Sequence, residues 1–254
     1  MINSLLLFTN NDVPFVGAKT VIHTPTIREI SLIGEESFRI GLQTILNMPK
    51  MIKKSSGNSN SSEKDDFEIF IAIINNKEEE GSEIRNSLLD FLTLLFPNFD
   101  IHIRKMDIQF IGKSEDKIVT YIDGTNFKDF QEIISNMFPN IENVEEDYHP
   151  ADSRAQAIAD KIKKAKEKKN KDKVDNLKGF SLYKRYVSIL AVGLPMDINT
   201  LLDYTVVQLE NQFNRFILKF KFDATCAARL AGASDVEDAD DWMAEIYCVF
   251  SLIY

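Results

Sequence analysis

Two short stretches of this chain carry residue types that bind phosphate: Gly17-Ala18-Lys19-Thr20 and Gly112-Lys113-Ser114. A phosphate loop needs a further glycine five residues before its second one, because backbone N–H groups must close around the anion. Those positions hold Asp12 and Asp107, whose carboxylates would repel it. Nucleotide binding is therefore not expected. The histidines, His23, His102 and His149, are scattered, and none has a second ligand type at metal spacing. Asp238, Asp240 and Asp241 are close enough in sequence to attract a cation. No glycine-punctuated calcium loop surrounds them, so a charge cluster at a helix N-terminus is the simpler reading. No Gly-x-Ser-x-Gly, His-Glu-x-x-His or paired Cys-x-x-Cys occurs. The expectation is a non-enzyme with no catalytic residue, cofactor or metal.

The bulk properties agree with a protein that works by packing. With 254 residues the chain can bury a core in one or two domains, and its 44% hydrophobic and 27% charged content is ordinary for a globular protein. No apolar run is long enough to cross a bilayer. The start, Met1 to Asn10, has no basic n-region and no small-residue cleavage site, so a cytosolic protein is expected. Cys226 and Cys248 then read as reduced, buried thiols in helices. A net charge of −9 disfavours nucleic acid as a partner.

The elements that must position any working surface follow from periodicity and punctuation. Residues 4–9 and 13–23 read as two short strands, separated by the turn residues Asn10-Asn11-Asp12. A helix follows, capped either at Thr24-Pro25 or by a Thr26/Glu29 capping box, and is expected to run on until it stops before Pro49. Ser55–Ser62 reads as a low-complexity loop. Residues 66–74 suit strand or helix, and the reading leans to helix. Ser82–Phe96 reads as a helix ended by Pro97. Strands are expected over 100–111 and 117–123, then a helix from a Thr125 cap to Met137. The fold class is α+β: a small N-terminal β-element with helices over 1–140, followed by a C-terminal α-helical bundle over 176–254. An acidic connector and a lysine-rich linker helix fill 141–175.

Two features of the second half stand out as candidate surfaces. Lys161–Lys173 holds eight lysines in thirteen residues, with little apolar surface, and reads as a solvated helix or a dock for an acidic partner. Lys163, Lys164 and Lys168 are its candidate contact residues. No aromatic residue interleaves them to stack on bases. Further on, a Thr205/Gln208 capping box opens a long helix. Val206, Leu209, Phe213, Phe216, Phe220, Ala224 and Ala227 recur along it at spacings of three and four, and Gly232 is its natural C-cap. The stripe is core in the plainest reading. It is also longer than a three-helix core needs, which makes Phe213, Phe216, Phe220 and Arg229 candidates for a partner contact. A last helix is expected from Asp240-Asp241, burying Trp242, Ile246, Phe250 and Ile253. Trp242 is a candidate contact residue should it lie at the surface.

Both ends of the chain resemble phage tail-assembly proteins. The stretch Val21-Ile-His-Thr-Pro-Thr-Ile-Arg-Glu-Ile-Ser-Leu-Ile-Gly-Glu35 looks like their start. Asp203–Leu209, Ala228–Ala233 and Asp241-Trp242-Met243 are similar to their helical ends. The resemblance implies a role in tail or baseplate morphogenesis, as an assembly chaperone that holds tape-measure, tube or baseplate hub proteins in the host cytoplasm. It carries no catalytic residues over, and the matching positions Thr26, Glu29, Gly34, Tyr204, Leu209, Arg229, Gly232 and Trp242 all read as caps, core or turns. The runner-up is a structural component of the virion, and a third class is a small enzyme or a host-directed effector. No membrane partner is expected, and self-association is left open.

Overall fold

The computed structural model describes residues 4–49, 52, 65–75, 79–114, 118–139, 181–233, 236 and 242–243. The lysine-rich segment and the acidic connector lie outside them. Among the described residues the fold is α+β, as the sequence predicts.

The chain opens with one helical turn, α1 (Ser4–Leu7), where a strand was expected. Leucine is not branched at Cβ and loses little rotamer freedom in a helix, and only Leu7 of this run is buried. The expected 13–23 strand folds on itself. Val13–Phe15 (β1) pairs antiparallel with Thr20–Ile22 (β2), across a 3-10 turn at Val16–Ala18. The turn is closed by Lys19 in the left-handed region, φ 52°.

Thr26, not Thr24, caps α2 (Ile27–Ile33). Its hydroxyl accepts from the Glu29 N–H while the Glu29 carboxylate accepts from the Thr26 N–H at 2.8 Å, which closes the capping box. The single long helix expected here is broken at Gly34, whose φ of 87° suits glycine, and α3 (Glu35–Leu46) starts in a new direction. Residues 66–74 are helical: α4 (Asp66–Ile74) has five of its nine residues buried, a burden that a two-faced strand in a small sheet would not carry. α5 (Glu79–Leu95) lies so close to α3 that a Cβ on Gly41 would stand 2.4 Å from the Phe91 Cβ.

A three-stranded antiparallel sheet follows, in order β3-β4-β5: Phe99–Ile103, Ile108–Gly112 and Val119–Ile122. The expected strand over 100–111 is in fact a hairpin. Arg104 and Asp107 close its turn through a backbone hydrogen bond and a 2.7 Å ion pair. The Thr120 hydroxyl donates to the Ala18 carbonyl and ties β5 to the first hairpin. α6 (Phe127–Met137) ends where predicted. Its N-cap is Asn126, while Thr125 instead donates to Asp123.

The described C-terminal part comprises α7 (Leu182–Gly193), α8 (Ile198–Leu202) and α9 (Val206–Leu230). Tyr186, Val187, Leu190, Leu201, Leu209 and Phe213 belong to the same buried cluster as Phe38, Phe91 and Phe138. Polar ties reinforce that packing. The Ile27 N–H donates to the Tyr204 carbonyl, Arg28 pairs with Asp203 at 2.7 Å, and the Leu182 N–H donates to Glu35. Thr205 caps α9 through the predicted box and is buried. Thr205→Ala is expected to cost about 1 kcal/mol in urea denaturation, the usual loss for a removed N-cap.

Candidate interaction surface

α9 is 25 residues long, about 37 Å at 1.5 Å per residue. Its buried positions are Val206, Leu209, Glu210 and Phe213, all within the first eight residues. The apolar stripe nevertheless continues. Phe216 is half-buried over Gly193, where a Cβ would meet its ring at 2.3 Å. Beyond it Phe220 is 63% exposed, and Ala224 and Ala227 are exposed too. An apolar face that leaves the core while keeping its helical spacing is what an interaction helix presents.

The helix ends as predicted. Gly232, at φ 92°, donates to the Arg229 carbonyl and Ala233 to the Ala228 carbonyl, the paired bonds of a Schellman cap. Val236 and Trp242, described beyond the helix, lie against it. Arg229 donates to the Val236 carbonyl at 3.3 Å and Arg215 to the Trp242 carbonyl at 2.7 Å, and the Lys219 ammonium lies 5.6 Å from the Trp242 ring centre. At 100° per residue Arg215 sits roughly opposite the Val206–Phe213 face, while Lys219 lies about 60° from Phe216 on the flank of the stripe. Trp242 is half-buried, packed as a cation–π partner.

The candidate contact residues thus divide. Phe216 and Phe220 begin and carry the outer stripe. Phe213 does not belong to it: at 6% exposure it is core, stacked on Tyr186 at 4.0 Å. Arg229 holds the Val236 carbonyl, and the Trp242 carbonyl is held by Arg215. Lys163, Lys164 and Lys168 lie outside the described residues, as do Cys248 and the expected final helix beyond Met243. Cys226 is on α9 but exposed, against the expectation of burial, because the helix has left the core by that point.

Two polar clusters escaped the sequence reading. His23 bridges Asp12, at 3.0 Å from Nδ1, and Glu29, at 3.1 Å from Nε2. Burial pushes the Glu29 carboxyl up, but hydrogen bonds from the Thr26 N–H and hydroxyl and from His23 together outweigh it and hold the carboxyl below its usual value. With Glu29 committed to the capping box, the cluster fastens the first hairpin to α2. The two aspartates at the phosphate-loop positions therefore both have structural partners, Asp12 in His23 and Asp107 in Arg104.

The second cluster centres on Tyr183 of α7, with Glu210 of α9, Glu35 of α3 and Tyr186 near it. Burial raises the Glu210 carboxyl to about 8. Burial also raises the Tyr183 phenol well above its ordinary value, with the nearby Glu210 and Glu35 charges adding to the effect. Both groups are neutral at pH 7. Their signal was present in the spacing, since Glu210 lies four residues after Val206 on the same face.

A polar cleft of about 580 Å³ is lined by Asp65, Asp66, Lys128, Gln131, Glu132 and Asn136, among others. Among the described residues there is no group of three or more His, Cys, Asp or Glu that could hold a metal, and no helix is long and apolar enough to cross a membrane. No family model, curated protein or solved structure matches the chain.

Proposed function

We propose that this chain is a non-catalytic interaction protein whose contact surface is the outer half of α9. On the resemblance of its two ends, its partners are phage tail proteins: the tape measure, the tube or the baseplate hub. The observation that carries the reading is Phe220, a large aromatic that is 63% exposed in register with a buried stripe. A phenylalanine in that position gains little unless another surface covers it. In this role the protein holds apolar surfaces of unassembled tail components until they dock.

The test is co-expression with the tape-measure, tube and baseplate hub proteins, followed by pull-down. At least one of them is expected to co-purify. Phe220→Asp should abolish that capture while changing stability by less than about 0.5 kcal/mol, as a surface substitution does. Recovery of none of the three, together with saturable turnover of ATP by the purified protein, would overturn the reading in favour of an enzyme.

A further inference from the structure

The three-stranded sheet has two edges, and they are treated differently. The outer edge of β5 is closed by the first hairpin. Asn126 donates to the Tyr121 carbonyl at 2.9 Å and to the Gly17 carbonyl at 3.4 Å, and the Thr120 hydroxyl donates to the Ala18 carbonyl. β3 is the other edge, and among the described residues no strand pairs with its far side. Its five residues, Phe99-Asp100-Ile101-His102-Ile103, include no proline, lysine or glycine to discourage pairing. The inward-facing Phe99, Ile101 and Ile103 pack against the core but are only half-buried.

The ladder dictates which backbone groups face that edge. Lys113 donates to the Asn98 carbonyl and Arg104 to the Asp107 carbonyl, extending the β3–β4 register at both ends. Hydrogen-bonded pairs alternate along an antiparallel ladder, so the N–H and C=O of Asp100 and His102 turn to β4. Those of Ile101 and Ile103 turn outward. The Phe99 N–H also turns outward but is taken by the Phe96 carbonyl. A row of alternating donors and acceptors is satisfied by another strand.

We infer that β3 pairs antiparallel with β3 of a second copy about a two-fold axis at His102, joining the two sheets edge to edge. That single axis sets Ile101 opposite Ile103 of the copy, Asp100 opposite its Arg104, and His102 opposite its His102. Ile101 and Ile103 then exchange all their outward N–H and C=O groups, and their half-buried side chains continue one apolar row. On the exposed face Asp100 meets Arg104 on both sides of the axis. The Arg104 Nε holds Asp107, and a guanidinium has donors enough for a second carboxylate. An axis at Ile101 would instead press the Ile103 carbonyl of the copy against the Phe96 carbonyl beside the Phe99 N–H. One short strand from each copy makes a small interface, so the dimer is reversible. The inference does not rest on the reading of α9.

Sedimentation equilibrium of the full chain, from roughly 1 to 500 μM, should show a monomer–dimer equilibrium. His102 is exposed and faces its own copy, so a charge placed there meets its like. His102→Glu and His102→Lys should each weaken the dimer about fivefold with an unchanged melting temperature. An equimolar mixture of the two variants should restore it, glutamate facing lysine. Phe220→Asp should leave it unchanged. A wild-type monomer at every concentration, a dimer indifferent to His102→Glu, or a mixture as weak as its components would each overturn the inference. A dimer lost with Phe220→Asp would move the contact to α9 and overturn it as well. Capture of tail proteins through Phe220 is a separate readout, so either reading can fail without the other.

Discussion

Glu210→Gln should raise stability at pH 8 and leave it nearly unchanged at pH 4. The carboxyl is buried on the face of α9 that packs on α7, near Tyr183, and burial raises it to about 8 from an ordinary 4.5. The sign follows from which state holds the proton. Below about pH 4.5 both folded and unfolded chains carry the protonated form, and the group favours neither. Between 4.5 and 8 the unfolded carboxyl ionises while the folded one keeps its proton, so stability falls by about 1.4 kcal/mol per pH unit. Above 8 the loss levels off, at roughly 5 kcal/mol at most. A neutral glutamine removes this slope. Urea denaturation of both proteins at pH 4, 6 and 8 measures the difference, which cancels the contributions of other carboxylates. The expected gain at pH 8 is about 2–4 kcal/mol, less than the full slope because the amide is still buried. A difference that does not grow with pH would show that Glu210 is ionised in the folded protein.

The second large effect is in the core. Phe91→Ala is expected to cost about 3–5 kcal/mol, the range for a fully buried phenylalanine. Phe91 has no exposed surface and packs edge-on against Phe38, with ring centres 5.3 Å apart, and against Phe138 at 6.1 Å. Its Cβ also occupies the space that Gly41 leaves open, so it sets the α3–α5 spacing. Denaturant unfolding should show a lower midpoint. A loss under about 1 kcal/mol would mean that the two helices collapse onto the vacated space, and that their close approach is not held by this ring.

Much of the fold was legible because local chemistry decides it. Thr26 with Glu29 and Thr205 with Gln208 mark helix starts through hydrogen bonds their side chains supply, and Gly232 marks a helix end through the positive φ that glycine permits. The hairpin inside 99–112 was not legible. Its turn, Arg104-Lys105-Met106-Asp107, contains no glycine, proline or asparagine, and it is closed by an ion pair. The break at Gly34 was visible as a glycine, yet a glycine inside a helical pattern is also tolerated, and the tertiary ties of α2 to α8 and to the Tyr204 carbonyl fix its direction. The His23 cluster was hidden for a different reason. Asp12 and Glu29 lie 11 and 6 residues away, and a folded hairpin is needed to bring them together. For the contact surface, the spacing of Phe213, Phe216 and Phe220 was plain. Where the core stops along that stripe depends on the length of α7, which covers Phe213 and reaches Phe216 but not Phe220.

The central claim is that the outer stripe of α9 is where this protein meets its partners. A photo-crosslinking phenylalanine analogue at position 220 tests it in cells co-expressing the tape-measure, tube and baseplate hub proteins. The same analogue at Leu32, also highly exposed but on α2, is the control. Mass spectrometry of the adducts should find a tail protein joined at position 220 and none at position 32. Absence of any tail-protein adduct at 220, or equal yield at both positions, would contradict the account.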